Sequence, residues 1–90
     1  MILDETAYRR YLDGEQKAAD LLVERYGDGL TRYINGYIRD IQEAEDLMIE
    51  AFAQLFAKER PIEGVGSFQA YLYKTARHLA LRHKQKHRLV

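Results

Sequence analysis

The sequence predicts an all-α protein, a small bundle of four to five helices. Apolar residues recur at i, i+3, i+4 spacing in consecutive segments, the signature of one buried helical face. No segment shows the period-2 alternation of a strand. Proline occurs once in 90 residues, so long helices can run uninterrupted.

A short first helix covers about Glu5–Leu12 and stops at Asp13-Gly14. A second runs from about Glu15 to Tyr26, with Ala18, Ala19, Leu22, Val23 and Tyr26 on one stripe. Gly27 and Gly29 predict either a break or a weak kink there. Periodicity resumes through Leu30, Tyr33, Ile34, Tyr37 and Ile38. Asp40 and Glu43 have the spacing of an N-cap residue and its reciprocal partner. They open a helix whose stripe is Ala44, Leu47, Met48, Ala51, Phe52, Leu55 and Phe56, ended by Glu59-Arg60-Pro61. A loop from Pro61 to Gly66 follows. Ser67 is expected to cap a last helix of about twenty residues, with a core stripe of Phe68, Leu72, Thr75, Ala76 and Leu79.

Ninety residues make one domain, expected over residues 1–90. The absence of cysteine excludes a disulfide framework, a thiolate metal site and a cysteine nucleophile. No apolar run approaches a membrane span, and the N-terminus lacks the features of a signal peptide. A cytoplasmic domain with no membrane contact is the expectation. The net charge is zero, but its distribution is uneven. Residues 1–66 hold eight Lys and Arg and all fourteen Asp and Glu, a net of −6. Residues 67–90 hold six Lys and Arg, all three histidines and no acid, a net of +6. A basic segment facing a polyanion and an acidic body facing another partner would produce that split.

On the last helix, Lys74, Arg77, His78, Arg82, Lys84 and Arg88 form a broad arc opposite the apolar stripe, with Tyr71 and Tyr73 on its two shoulders. Basic side chains neutralise phosphates, and rings beside them stack on unpaired bases. A solvated helix face is the simpler explanation of such an arc, yet a solvated face normally mixes both signs. His83 and His87 have i, i+4 spacing but no evident third ligand, so no metal or cofactor is expected. The helix from Ile41 turns Gln42, Glu43, Glu45, Asp46, Ile49, Glu50 and Ala53 outward. Three of those acids could suggest acid–base chemistry, but no sheltered pocket or positioned partner accompanies them, and no enzyme activity is expected. Ile49 among the acids is either a single exposed aliphatic, which is common on surfaces, or part of a protein-binding patch.

Three stretches resemble extracytoplasmic-function sigma factors. Ala44-Glu45-Asp46-Leu47-Met48-Ile49-Glu50-Ala51-Phe52 is similar to their region 2.2 motif A-E-D-L-V-Q-E-V-F. Gly66-Ser67-Phe68-Gln69-Ala70-Tyr71-Leu72-Tyr73-Lys74-Thr75-Ala76-Arg77-His78-Leu79-Ala80 resembles G-S-F-R-A-W-L-Y-R-I-A-R-N-L-A. Leu21–Leu30 followed by Tyr33 resembles the region 2.1 pattern L-Y-x-x-Y-x-x-x-L-x-x-Y. The likeness spans about residues 7–88, in the family's order.

The resemblance implies a region 2 domain of a bacterial transcription initiation factor. It implies that Glu45, Asp46, Ile49 and Glu50 meet the clamp helices of the largest subunit of core RNA polymerase, Ile49 standing where the family has glutamine. It also implies that the loop at 60–67 and the last helix recognise and melt the −10 element on the non-template strand. The DNA-binding residues would be Ser67, Tyr71, Tyr73, Lys74, Arg77, His78, Arg82, Lys84 and Arg88. Tyr71 replaces a common tryptophan, His78 an asparagine and Arg82 a frequent aspartate. The family's region 4 has no counterpart in these residues, as expected of a fragment or of a natural short form. An anti-sigma factor is a further implied partner. The alternative is an interaction module derived from a sigma factor that binds such a partner without promoter activity.

Overall fold

The computed structural model describes residues 4–58, 60, 62, 63 and 66–88. Among the described residues four helices follow in order: α1 (Asp4–Leu12), α2 (Gln16–Ile38), α3 (Ile41–Phe56) and α4 (Ser67–Arg88). No strand occurs among the described residues, and the all-α expectation holds. α2 is the spine, about 34 Å long at 1.5 Å per residue, and packs against all three other helices; α3 and α4 also pack on each other.

α1 ends where Asp13-Gly14 predicts. Gly14 takes φ 92°; its N–H reaches Tyr11 C=O and that of Glu15 reaches Arg10 C=O, both at 3.0 Å. This paired closure needs a left-handed residue, which glycine adopts without a Cβ penalty.

α2 rules out the break, the first of the two readings. Gly27 and Gly29 lie inside one continuous helix. Both sit where another helix comes close. A Cβ built on Gly27 would lie 3.7 Å from Met48 Cε of α3, and one on Gly29 would lie 3.3 Å from the Tyr73 hydroxyl of α4. Packing on both sides outweighs the roughly 1 kcal/mol that each glycine costs a helix relative to alanine. α2 ends at Arg39, left-handed at φ 55°, whose N–H bonds to Asn35 C=O.

Asp40 is the N-cap of α3, its carboxylate accepting from Glu43 N–H at 3.3 Å. α3 ends at Phe56, before Glu59-Arg60-Pro61, with Ala57 as C-cap. The end is held from outside the helix: the Tyr11 hydroxyl of α1 donates to Phe56 C=O at 3.0 Å, satisfying one of the carbonyls that a helix end leaves open. Residues 59, 61, 64 and 65 of the connection lie outside the described residues. At the start of α4, Gly66 C=O accepts from Ala70 N–H at 3.0 Å. Gly66, at φ 72°, therefore occupies the cap position, and Ser67 is the first helical residue rather than the cap.

The core gathers Leu22, Leu30 and Ile34 from α2, Ala51, Phe52 and Leu55 from α3, and Phe68, Leu72 and Ala76 from α4. Tyr8 of α1 stacks on Phe68 at 5.1 Å, and Tyr26 meets the same ring edge-on at 5.8 Å. Phe68 thus ties α1, α2 and α4 together, and ring pairs of this kind add about 0.5–1.5 kcal/mol beyond area burial.

Candidate functional site

The expected phase of α3 is observed. Ala44, Ala51, Phe52 and Leu55 are buried, and Glu45, Asp46, Ile49 and Glu50 are exposed. Ile49 is 59% exposed and Ile41, two turns earlier, 50%. Between α2 and α3 runs a surface groove. At one end Val23, Met48, Ile49, Phe52, Ala53 and Phe56 form an almost wholly apolar lining. At the other, Asp28, Arg32 and Glu45 add charge beside Met48 and Ile49. Ile49 therefore stands on the ridge between two hollows, with Glu45, Asp46 and Glu50 around it. Such a surface suits an apolar side chain on a partner helix with basic neighbours.

On α4, Phe68, Leu72, Thr75, Ala76 and Leu79 are buried, as the stripe predicts, and so is Ala80. Lys74, Arg77, His78, Arg82 and Lys84 are exposed, and Ser67 is half-buried; the side chain of Arg88 lies outside the described ones. Leu81, 45% exposed, interrupts this basic face between Arg77 and Lys84.

Tyr71 and Tyr73 are both half-buried, on opposite shoulders of the arc. Lys58 Nζ lies 4.9 Å from the centroid of the Tyr71 ring, a cation–π contact joining the end of α3 to α4. Tyr73 packs edge-on against Tyr33 of α2 at 5.1 Å. Tyr33 in turn meets Tyr37 at 5.6 Å. The Tyr33 hydroxyl ionises above the ordinary 10.0, chiefly through its hydrogen bond with Tyr37; partial burial and the Tyr37 charge add to the rise, and the Arg77 cation opposes it.

The rings of His83 and His87 lie with centroids 4.2 Å apart, tilted by 40° to each other. Nδ1 of His83 lies 4.0 Å from a Glu43 carboxylate oxygen, so the first of the pair faces α3. Among the described residues no group of three or more potential ligands is placed to hold a metal ion, and no helix is long and apolar enough to cross a membrane.

Sequence reasoning missed Lys58, Leu81 and the exposure of Tyr33 and Tyr37. One signal was present for the tyrosines: residues 29–39 contain no acid.

An acidic helix with an apolar ridge and an acid-free helix flanked by tyrosines give this helical domain two faces of opposite charge. The chain belongs to the sigma-70 region 2 family, whose model matches residues 22–90. It is 31% identical over 80 residues to the RNA polymerase sigma-H factor of Pseudomonas aeruginosa, covering 89% of this chain. The aligned part spans 42% of that relative's length. No solved structure matches the chain.

Proposed function

We propose that this domain acts in transcription initiation as region 2 of an extracytoplasmic-function type sigma factor, working in the cytoplasm. It docks on the clamp helices of core RNA polymerase through α3 and holds the melted −10 non-template strand against α4. The observation that carries this reading is the separation of the two surfaces. Exposed Glu45, Asp46 and Glu50 surround an exposed Ile49 on α3, whereas the described exposed face of α4 bears bases, a leucine and no acid. Charge of one sign on each face steers each partner to its own side and repels the other.

Docking on α3 combines polar and apolar contact. Asp46 and Glu50 lie one turn apart on the exposed face, so one basic side chain can approach both. The apolar hollow of Val23, Phe52 and Phe56 beside Ile49 adds desolvated area next to those acids. On α4, Lys74, Arg77, Arg82 and Lys84 neutralise phosphates, and Tyr71 offers a ring to a base that has left the duplex.

Pull-down of core polymerase tests the reading. Charge reversal at both Asp46 and Glu50 abolishes capture and leaves the helical circular dichroism at the wild-type level. Undiminished capture by the double variant overturns the assignment of α3.

A further inference from the structure

Two exposed aliphatic residues stand among charges of opposite sign. Ile49 of α3 has exposed Glu45, Asp46 and Glu50 around it. Leu81 of α4, 45% exposed, lies one turn from exposed Arg77, His78, Lys84 and Gln85, on a helix with no acid. An exposed aliphatic side chain alone is unremarkable. Each of these two has its complement on the same chain. Beside Ile49, Val23, Met48, Phe52 and Phe56 line the apolar hollow between α2 and α3. Arg32 stands at the other end of that groove with Asp28 and Glu45, so acids outnumber the cation along it. The end of α4 is open to approach: of residues 81–87, His83 is half-buried and the others are exposed.

We propose that the end of α4 of one copy docks on the α2–α3 groove of a second copy, with Leu81 entering the apolar hollow beside Ile49 and the bases around Leu81 meeting the acids around Ile49. The occupant is a second copy of this chain because α4 carries what the groove selects, an apolar side chain with basic neighbours on an accessible helix. The charge balance favours it. These 90 residues sum to zero with the histidines neutral, so two copies meet no overall repulsion. The local charges, −6 over residues 1–66 and +6 over residues 67–90, attract head to tail. The two patches differ, so the contact is heterologous. Each docked pair leaves one groove and one α4 end unused, and further copies add to them. One contact covers an α3 face and an α4 face together, so self-association withholds both from other partners.

Sedimentation equilibrium of the chain alone tests the contact, and its outcome is independent of capture of core polymerase. From micromolar to millimolar concentration at low salt, the average mass is expected to rise above that of the monomer. Salt at about 1 M, where the screening length is about 3 Å, should return the monomer. Leu81→Glu spoils the α4 end and Ile49→Lys the α3 face, each by setting a like charge against the opposing patch. Either one is expected to raise the apparent dissociation constant by about tenfold or more. An equimolar mixture of the two holds one intact groove and one intact α4 end, so association returns and stops at pairs. Circular dichroism melting checks that each variant is folded. Lys84→Glu and Glu50→Lys, at exposed positions, repeat the mixing test on charge alone. A wild-type chain that stays monomeric at every concentration overturns the proposal. So does association that survives about 1 M salt or either substitution. Loss in both variants without recovery in their mixture also overturns it, since that pattern reports a contact between like patches.

Discussion

The Tyr8 hydroxyl of α1 accepts a hydrogen bond from Ile62 N–H at 3.1 Å, linking residues 54 positions apart. The same ring stacks on Phe68, so Tyr8 holds both the segment before α4 and the first turn of α4. Tyr8→Phe preserves the stack and removes the acceptor. The expected cost is about 0.5–1.5 kcal/mol, which for a domain of this size lowers Tm by roughly 2–12 °C. Thermal melting measures the first effect. Hydrogen exchange supplies the local one: the Ile62 amide exchanges faster, and amides within α2 slow or accelerate only with global stability.

The glycines of α2 give a second, opposed pair of predictions. At Gly27 an added Cβ makes ordinary contact with Met48 and Val23, so Gly27→Ala should stabilise by about 0.5–1 kcal/mol through helix propensity. At Gly29 the same Cβ comes within 3.3 Å of the Tyr73 hydroxyl, which must move to accept it. Gly29→Ala is therefore expected to gain less than Gly27→Ala or to lose stability. Urea unfolding with unchanged m-values decides between them.

These positions also mark what the sequence could and could not disclose. Local periodicity placed Phe68, Leu72, Thr75, Ala76 and Leu79 inside and Ile49 outside, because a helix of known pitch converts spacing into direction. It left open whether Gly27 and Gly29 break the helix or are carried within it, since Met48 and Tyr73, which pack there, come from other helices. Ala80 was overlooked because α4 packs against both α2 and α3, making its buried arc wider than a single stripe. Tyr33 and Tyr37 fitted the apolar stripe of α2, yet they lie at its edge, where a long ring is only partly covered. The bonds from Tyr8 and Tyr11 join segments far apart in sequence, and no local pattern announces them.

Ionisation of Tyr33 carries a pH prediction. Its folded pKa is raised, so the folded state retains this proton at pH values where the unfolded chain has released it. Stability is then undiminished below the ordinary tyrosine value of 10.0 and falls as pH rises from there through the folded pKa. Tyr37→Phe removes the hydrogen-bond partner that contributes most to the shift. It should bring the tyrosinate absorbance transition of Tyr33 to lower pH, read as the difference from a Tyr33→Phe control.

Ile49 separates docking from stability. At 59% exposure it has little area left to lose, so Ile49→Gln is expected to change stability by no more than about 0.5 kcal/mol. Under the proposed docking the same change restores the family's glutamine and should keep or strengthen capture of core polymerase. Ile49→Lys, which places a cation among Glu45, Asp46 and Glu50, should reduce capture while leaving melting near wild type. Capture unaffected by the lysine would remove Ile49 from the interface.

The last prediction concerns strand preference on the other shoulder of α4. Lys58 lies over the Tyr71 ring, and both residues flank the loop that enters α4, so a base that stacks on Tyr71 must share or displace that cation. If it displaces Lys58, the cation–π contact is lost but the ammonium becomes free for a neighbouring phosphate. If it stacks on the opposite face, the cation remains and strengthens the ring's hold on the fold. Both routes make Tyr71 matter more for a single strand than for duplex, whose bases present no free faces. Tyr71→Ala is expected to lower affinity for a −10-like non-template strand by about 1–3 kcal/mol and to leave duplex binding near the wild-type value. Lys58→Ala tells the routes apart by its salt dependence: loss of a phosphate contact reduces the slope of log K against log salt by about 0.7 for a single strand, whereas loss of a ring contact alone leaves the slope unchanged. Anisotropy titrations across a salt series, with the strand alone and annealed to its complement, measure both quantities. Equal affinity for the two forms, with no effect of Tyr71→Ala, would reduce α4 to a nonspecific basic surface and end its assignment to strand opening.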